Sequence, residues 1–395
     1  MNWSSEQEGA LAAVAQWLED PKDNVFRLFG YAGTGKTTLA KSFADKLNGL
    51  VLYGAFTGKA ALVMQRKGCL SATTIHRMIY LPKDKSRARL FELEAEFAEE
   101  QNADRQRALQ ELIQAEKAQL RKPLFGINAE SEVKEAQLVI IDEVSMVGRQ
   151  MGEDLLSFGT PVLVLGDPAQ LPPVADMGYF TDREPDVMLR QVHRQAEGSP
   201  IIALATKVRN GQFLPLGQWG ESAVVNKKDL TIQQAAKFDQ VIVGTNRMRR
   251  MLNRRIRDEV LGRKSHLPEV GDKLICLRNN HELGLLNGSQ WTVLDSQIRD
   301  DDFLNLTLRE FGRDDATMFE VIAHRTHFED REIPFWSRKD AEEFDFGYAI
   351  TCHKSQGSQW DSVVVVDESS VFRNHAQQWL YTAITRAANK VTIVK

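Results

Sequence analysis

The sequence predicts an α/β protein of two parallel-sheet domains in series, with a helical insertion in the first and a small β barrel inserted in the second. Two observations carry that expectation. Short, continuous apolar runs bounded by turn residues alternate with helical periodicity, the mark of strands buried on both faces. Residues 266–340 instead alternate apolar and polar positions between Gly and Asn turns, which indicates antiparallel strands. A length of 395 residues with 43% hydrophobic content is enough for two or more domains with cores of their own.

In chain order, residues 5–19 place Leu11, Val14, Ala15 and Leu18 on one helix face behind a Ser-Ser cap. Val25 to Phe29 is the first strand, followed at once by GYAGTGKTT and a helix through Leu39, Ala40, Phe43 and Leu47. Leu50 to Leu52, Leu138 to Ile141 and Val162 to Leu165 are further buried strands. Residues 81–135 interrupt the alternation with a stretch rich in Ala, Leu, Glu, Gln and Arg. Its apolar stripes, Leu90, Leu93 and Phe97, then Leu109, Leu112, Ile113 and Leu120, flank Asn102 to Asp104 and predict two helices joined by a turn. A second α/β set begins near residue 195, with strands at Val241 to Val243, Val363 to Val366 and Val391 to Val394. Arg247 to Arg257 reads as a basic helix with Arg250, Arg254 and Arg257 on one side, either a local basic patch or a solvated face.

Composition excludes some classes. Fifty Lys and Arg against 54 Asp and Glu give a formal charge of −4, so no global basic field attracts nucleic acid and any such binding rests on local patches. Cys69, Cys276 and Cys352 offer neither a disulfide framework nor a CxxC metal site. The first twenty residues carry acids where a secretory segment needs bases, and no window approaches about 18 apolar residues. The expectation is a soluble, cytoplasmic protein with no membrane partner.

The chemistry is concentrated in a few segments. Gly30 to Thr37 matches GxxxxGK[ST] between a strand and a helix, the context of a phosphate-binding P-loop. Gly30, Gly33 and Gly35 let backbone N–H groups converge on phosphate oxygens, Lys36 supplies a point charge and Thr37 a hydroxyl for Mg²⁺. Asp142 and Glu143 close a buried strand at the edge where open parallel sheets bind ligands. Asp142 is the expected second Mg²⁺ ligand and Glu143 the expected general base toward water. In the turn Gly166 to Pro173, Gln170 is a neutral group suited to sensing a γ-phosphate. The second α/β set lacks a P-loop of its own but presents Arg194 and Arg386 near strand ends, and an arginine across a cleft stabilises a transferring phosphoryl group. ATP and Mg²⁺ are therefore the expected cofactors, with Lys36, Asp142, Glu143, Gln170, Arg194 and Arg386 as the catalytic set.

Over nearly the whole chain these motifs resemble the superfamily 1 helicases, and within them the RecD-like and Dda-like branch 1B. Gln7 resembles the family's adenine-recognising glutamine, and GYAGTGKTT resembles motif I, which adds Thr34 and Thr38 to the ATP-binding residues. AFTGKAA and SATTIHRMI resemble the early DNA-contacting motifs; IIDEVSM, GDPAQLPPV, LRQVHRQ, ITCHKSQGSQWDSVVV and YTAITRA resemble motifs II to VI in order. Phe56 stands where a proline is common, and His193 where an aromatic usually precedes the motif IV arginine. The resemblance implies two RecA-like domains at 1–80 with 136–190 and at 191–265 with 341–395. It places a helical 1B domain at 81–135 and an SH3-like 2B domain at 266–340. It implies ATP-dependent 5′ to 3′ movement on single-stranded DNA and unwinding at single-strand/duplex junctions. Thr57, Lys59, Thr74 and His76, with Thr351, His353, Lys354 and Ser355, are its DNA-facing residues. Two alternatives stay open: a DNA-stimulated ATPase switch that does not unwind, and a phosphotransferase, against which the paired arginines speak. Protein partners are not indicated.

Overall fold

The computed structural model describes residues 3–82, 88–100, 102–121, 125–172, 178–192, 198–280, 283–300, 302–312, 316, 318–329, 331 and 341–395. The N-terminal helix, Ser5–Glu19, opens on a capping box in which the Ser4 hydroxyl accepts from the Gln7 N–H and Gln7 Oε1 accepts from the Ser4 N–H. Its Val14 is buried, and Leu11, Ala15 and Leu18 pack partly buried against the same core, as the helical spacing requires.

Strands β1 (Val25–Gly30), β2 (Val51–Ala55) and β3 (Thr73–Thr74) are followed by the short β4 (Tyr80–Pro82) and β5 (Phe125–Ile127), then β6 (Leu138–Asp142), β7 (Val162–Gly166) and β8 (Val187–Leu189). All but β4 and β5 join one parallel sheet in the order β3-β2-β6-β7-β1-β8. Register aligns the strand ends: Ala55 lies opposite Asp142, and Phe29 opposite Gly166. The P-loop, Phe56-Thr57, Asp142-Glu143 and the turn after Gly166 therefore emerge along one edge, the place where such sheets bind ligands.

Between β4 and β5, an antiparallel pair, lie the helices Ala88–Glu99 and Ala103–Arg121. Leu93, Leu109 and Ile113 form a small core of their own with Phe97 against it. Leu112 is half-exposed, which corrects the expected stripe: in a two-helix hairpin only the rows facing the other helix are covered. The side chains of Leu90 and Leu120 lie outside the described residues.

The second half begins with the helix Pro200–Arg209 and strands β9 (Gly217–Trp219), β10 (Ser222–Val225) and β11 (Gln240–Val243). Next come β12 (Lys273–Cys276), β13 (Gln290–Ile298), β14 (Phe303–Glu310), β15 (Met318–His324) and β16 (Phe344–Phe346). The chain then returns through β17 (Ala349–Thr351), β18 (Trp360–Val366) and β19 (Ala387–Val394). The sheet order β17-β11-β18-β19-β10-β9 is parallel except for the β9–β10 hairpin, and Trp379, Tyr381 and Ile384 pack into its core. Strands β12 to β16 form a separate antiparallel sheet around Leu274, Trp291, Leu306 and Phe344. A bridge between Ala323 and Glu342 ties β15 to the residues before β16.

The arginine row after β11 is not a free basic face. The helix Asn246–Arg255 passes into a π-helical turn at Ile256–Val260. There Arg257 is buried against Asp272, with Asp272 Oδ2 at 3.0 Å from its Nη2. Arg249 pairs with Asp345, Arg255 with Glu259 at 2.6 Å and Arg254 with Asp258 at 3.6 Å. Arg254 and Arg255 meet acids four residues on, while Arg249 and Arg257 meet distant ones, so much of the row's charge is paired. Among the described residues no helix is long and apolar enough to cross a membrane.

Candidate nucleotide site and its neighbouring groove

The loop after β1 takes its shape from its glycines. Gly33 and Gly35 have φ of 82° and 80°, a region that costs other residues dearly, and Gly35 caps the helix Lys36–Ala44. At Gly30 an added Cβ would lie 2.6 Å from Thr34 Oγ1. Lys36 Nζ donates to the carbonyl oxygens of Gly30 and Tyr31 at 2.5 and 3.2 Å. Thr37 Oγ1 donates to Asp142 Oδ2 at 2.7 Å, which brings the two expected Mg²⁺ ligands together.

Glu143 follows in the left-handed region at φ 55°, a strained position for a non-glycine residue of the kind that accumulates at functional sites. Its backbone N–H donates to Asp142 Oδ1. Burial pushes its carboxyl above the usual carboxylate range; Arg386 and Lys36 oppose that shift, while Asp142 and Asp167 add to it. Arg386 comes from the second parallel sheet, just before β19. Its side chain is buried, held by the carbonyl oxygens of Thr382 and Ser358 and by Thr385 Oγ1, with Nη1 at 3.9 Å from Glu143 Oε1.

These groups line one cavity of about 400 Å³, with Lys36, Thr37, Thr38, Asp142, Glu143 and Gln170 on one side and Gly357, Ser358, Thr385 and Arg386 on the other. The Gln170 side-chain oxygen is buried with no hydrogen-bond partner, a polar atom aimed at a donor that a ligand can bring. Arg194 and His193 lie outside the described residues. Gly33 and Gly35 line the cavity; Gly30 and Thr34 lie behind it, where the Thr34 carbonyl accepts from Gln7 Nε2 at 3.1 Å. Gln7 is 4% exposed, its amide divided between the helix cap and the loop, and it does not line the cavity.

The sequence reading missed how the two domains are joined here. The Tyr381 hydroxyl accepts from the Ala32 N–H at 2.9 Å and donates to Asp167 Oδ2 at 2.7 Å. Thr382 Oγ1 accepts from the Leu171 N–H, Gln356 Nε2 donates to the Leu171 carbonyl, and the Arg209 guanidinium lies 3.5 Å above the Tyr31 ring. Burial raises Asp167 above the usual carboxylate range, while Lys36, then Tyr381, pull the other way. Tyr381 and Thr382 lie in YTAITRA beside Arg386, and the hydroxyl pair was the available signal.

A second cavity, of about 500 Å³, opens where both parallel sheets meet the turn before β13. Of the expected DNA-facing residues, Thr57, Lys59, Thr351, His353 and Lys354 line it. Thr57 and Thr351 each cap a helix at a strand end, and Lys59 Nζ lies 4.4 Å over the Trp360 ring. Lys354 Nζ donates to Asn287 Oδ1 of that turn at 2.9 Å. Thr74 caps the helix Ile75–Ile79 with its side chain buried, and His76 packs on Tyr80 and Phe125 beside the insertion, both away from this groove. Ser355 corrects the expectation. It is fully buried, and its hydroxyl donates inward to the Cys352 carbonyl, so it faces no strand. Thr245 and Asn246 went unrecognised. Thr245 caps its helix at the end of β11 as Thr57 does at the end of β2, but its N–H and hydroxyl donate to Glu368; Asn246 lines the groove.

The AAA domain family model matches residues 3–226, more than half of the chain. The chain belongs to the AAA-domain family, as a RecD-like protein of helicase superfamily 1B. The UvrD-like helicase C-terminal domain model matches residues 346–394, which hold β17 to β19 and Arg386. Among curated proteins this superfamily 1B chain is 27% identical over 382 residues to the ATP-dependent RecD2 DNA helicase of Deinococcus radiodurans, covering 92% of the chain and 46% of that protein. It is 25% identical over 303 residues to the RecD subunit of the RecBCD enzyme of Mycolicibacterium smegmatis, covering 65% of the chain and 50% of that subunit. It thus spans about half the length of these relatives. Its fold is that of Pif1 helicases: Bacteroides Pif1 bound to single-stranded DNA superposes with a TM-score of 0.54 at 18% identity, covering 99% of this chain and 92% of that one. Candida albicans Pif1 gives 0.52 at 17% identity, covering 100% and 95%.

Proposed function

We propose that the protein is an ATP-driven translocase on single-stranded DNA that separates strands at junctions, moving 5′ to 3′. One observation carries the reading: Lys36, Thr37 and Asp142 of the first domain and Arg386 of the second line a single cavity. Thr37 Oγ1 and Asp142 Oδ2 are a hydroxyl and one carboxylate, the sparse oxygen set suited to a Mg²⁺ that keeps phosphates as its other ligands. Held by these two residues, a Mg²⁺ would supply positive charge toward the phosphates of ATP. Lys36 binds the same phosphates, Glu143 takes the proton of the attacking water and Gln170 reads the γ-phosphate. Arg386, joined by Arg194, stabilises the transferring phosphoryl group from the other domain.

A γ-phosphate gripped from both sides favours the closed cleft, and its loss on hydrolysis removes that bias. The paired helix caps, Thr57 in the first domain and Thr351 in the second, offer short hydroxyls to a phosphate backbone, a grip blind to sequence. Cleft motion alternates which cap set holds the strand. In this reading residues 1–80 with 136–190 and 191–265 with 341–395 are the RecA-like domains, 81–135 the 1B domain and 266–340 the SH3-like 2B domain. Polarity rests on the RecD-like resemblance.

Two measurements test the proposal. ATPase activity of the full chain is expected to rise with added single-stranded DNA and to vanish in Lys36→Ala; turnover surviving that change places the site elsewhere. A 5′-tailed fork is expected to be unwound and a 3′-tailed one not. ATPase activity without strand separation on either fork leaves a DNA-stimulated switch instead.

A further inference from the structure

We infer that a second phosphate site, separate from the nucleotide cavity, lies where the helix Asn246–Arg255 meets the antiparallel sheet, and that it takes a terminal phosphate group. A cavity of about 540 Å³ opens there, and none of the residues lining it lines the nucleotide cavity or the groove. Its basic side chains arrive from three segments. Arg250 and Arg254 stand one turn apart on the helix, Lys264 and His266 lie on the loop after the π-helical turn, and His327 lies on the 3₁₀ turn Thr326–Glu329. Arg254 is 71% exposed with Asp258 no closer than 3.6 Å. Lys264 is exposed and pairs with no acid among the described residues.

The acids around the cavity are already occupied. Asp345 pairs with Arg249, and Glu329 accepts from both Arg325 and Arg331 at 2.5 Å. Behind the wall, Arg257 and Arg263 share the buried Asp272, with Glu269 3.5 Å from Arg257. Two carboxylates that each hold two arginines leave the surplus charge positive. The wall is also rigid. Asn253 is buried, its amide donates to the carbonyl oxygens of Phe346 and Ala349 and accepts from the Ala349 N–H, so the helix is fastened to β16 and β17. Single π-helical turns are rare and are frequent at functional sites, and this one, Ile256–Val260, brings Arg257 and Asp258 to the cavity. Phe328 and Phe346 are buried beneath it, with the Arg257 guanidinium 4.2 Å over the Phe346 ring. An apolar floor lowers the local dielectric and strengthens attraction to an anion.

Side chains converging from separate segments suit a compact anion with its charge at one place, and arginine matches phosphate oxygens with a planar fork. A concave site takes a phosphate at the end of a molecule, whereas phosphates inside a strand are flanked by sugars that the walls exclude. Such a group is carried by a free polyphosphate or by the 5′ end of a DNA strand. Because the cavity is built by the helix after β11 and by the antiparallel sheet, a bound phosphate stabilises the contact between them.

Calorimetric titration of the full chain with inorganic tripolyphosphate is expected to show two sites, the nucleotide cavity and this one. Lys264→Glu is expected to weaken one of them about tenfold or more, and Arg254→Glu to do the same. Basal ATPase activity is expected to stay that of the unmodified protein in both variants, which also shows that they are folded. Lys36→Ala is expected to weaken the other site and to keep this one. A single site in the unmodified protein, or two sites that Lys264→Glu leaves unchanged, overturns the inference. Displacement of tripolyphosphate from Lys36→Ala by a 5′-phosphorylated oligonucleotide but not by its 5′-hydroxyl twin assigns the site to DNA ends. Displacement by neither assigns it to free polyphosphates, and equal displacement by both overturns a terminal-phosphate site. None of these outcomes depends on whether forks are unwound.

Discussion

Arg386 Nη1 lies 3.9 Å from Glu143 Oε1, an arginine from one sheet set against a carboxylate from the other across the nucleotide cavity. Buried and pinned by three oxygens, Arg386 is held as the proposed phosphoryl-transfer role requires, rigid before charge develops.

Arg386→Ala is expected to lower ATP turnover by about 10³-fold, the scale of arginine contributions in such sites. ATP binding changes far less, because the P-loop grip lies in the other domain. Arg386→Lys does not restore turnover, since an ammonium cannot replace a fork held by Thr382 and Ser358. Steady-state ATPase beside equilibrium nucleotide binding checks the split; parallel losses in both would mean that Arg386 serves the fold alone.

Glu143 predicts a pH dependence. A base must be deprotonated to take a proton from water, and burial holds this carboxyl above the usual range. Turnover therefore falls as pH drops through that raised value, at a higher pH than an ordinary glutamate would give. The folded state retains the proton longer than the unfolded one, so stability declines as pH rises from the unfolded value near 4.3 through the raised folded value. Glu143→Gln is expected to cut turnover by about 10² to 10⁴ and to abolish this acid limb while ATP still binds. A limb that survives in Glu143→Gln belongs to another group.

Tyr381→Phe removes a buried hydroxyl that serves Ala32 and Asp167 together. Leaving those groups short of a partner costs about 1–3 kcal/mol. Asp167 already sits above the usual range, and losing a bond that lowers it raises it further. The variant's deficit therefore grows as pH rises from acid to neutral, where the carboxylate must be charged to match the unfolded chain. Urea midpoints at pH 5 and pH 8 measure it, and equal deficits at both would remove Asp167 from the explanation.

Much of this site was legible in the chain because its chemistry is local. Gly30 to Thr37 fixes a strand, a turn and a helix within a few residues, and Asp142-Glu143 declares itself by following a run of buried aliphatics. What joins the domains was not legible: Tyr381 meets Ala32 and Asp167 from 349 and 214 positions away, and no short-range pattern encodes such a contact. Ser355 and the arginine row misled for the complementary reason. A motif gives residue type and spacing, whereas burial and ion pairing decide whether Ser355 or Arg257 reaches solvent.

If Lys59 holds a phosphate as proposed, single-strand binding depends on pH in the alkaline range. Burial beside Trp360 lowers its ammonium to about 8, with Arg66 adding to the shift and Glu310 opposing it. Because the unfolded lysine titrates near 10.4, the unfolded chain holds more protons between about 8 and 10.4, and this residue's contribution to stability improves with rising pH across that window. In the proposed reading its grip on a phosphate would run the other way: charged at pH 7, Lys59 is mostly neutral at pH 9. The slope of single-strand affinity against salt is therefore expected to be shallower at pH 9 by about 0.7, one phosphate's worth on a single strand. Lys354 is lowered too, chiefly by burial, so Lys59→Arg isolates the effect. That variant stays charged at both pH values and is expected to keep part of the slope that the unmodified protein loses. Titrations at pH 7 and pH 9 over a range of salt decide the matter, and an identical decline in both proteins would show that Lys59 makes no phosphate contact.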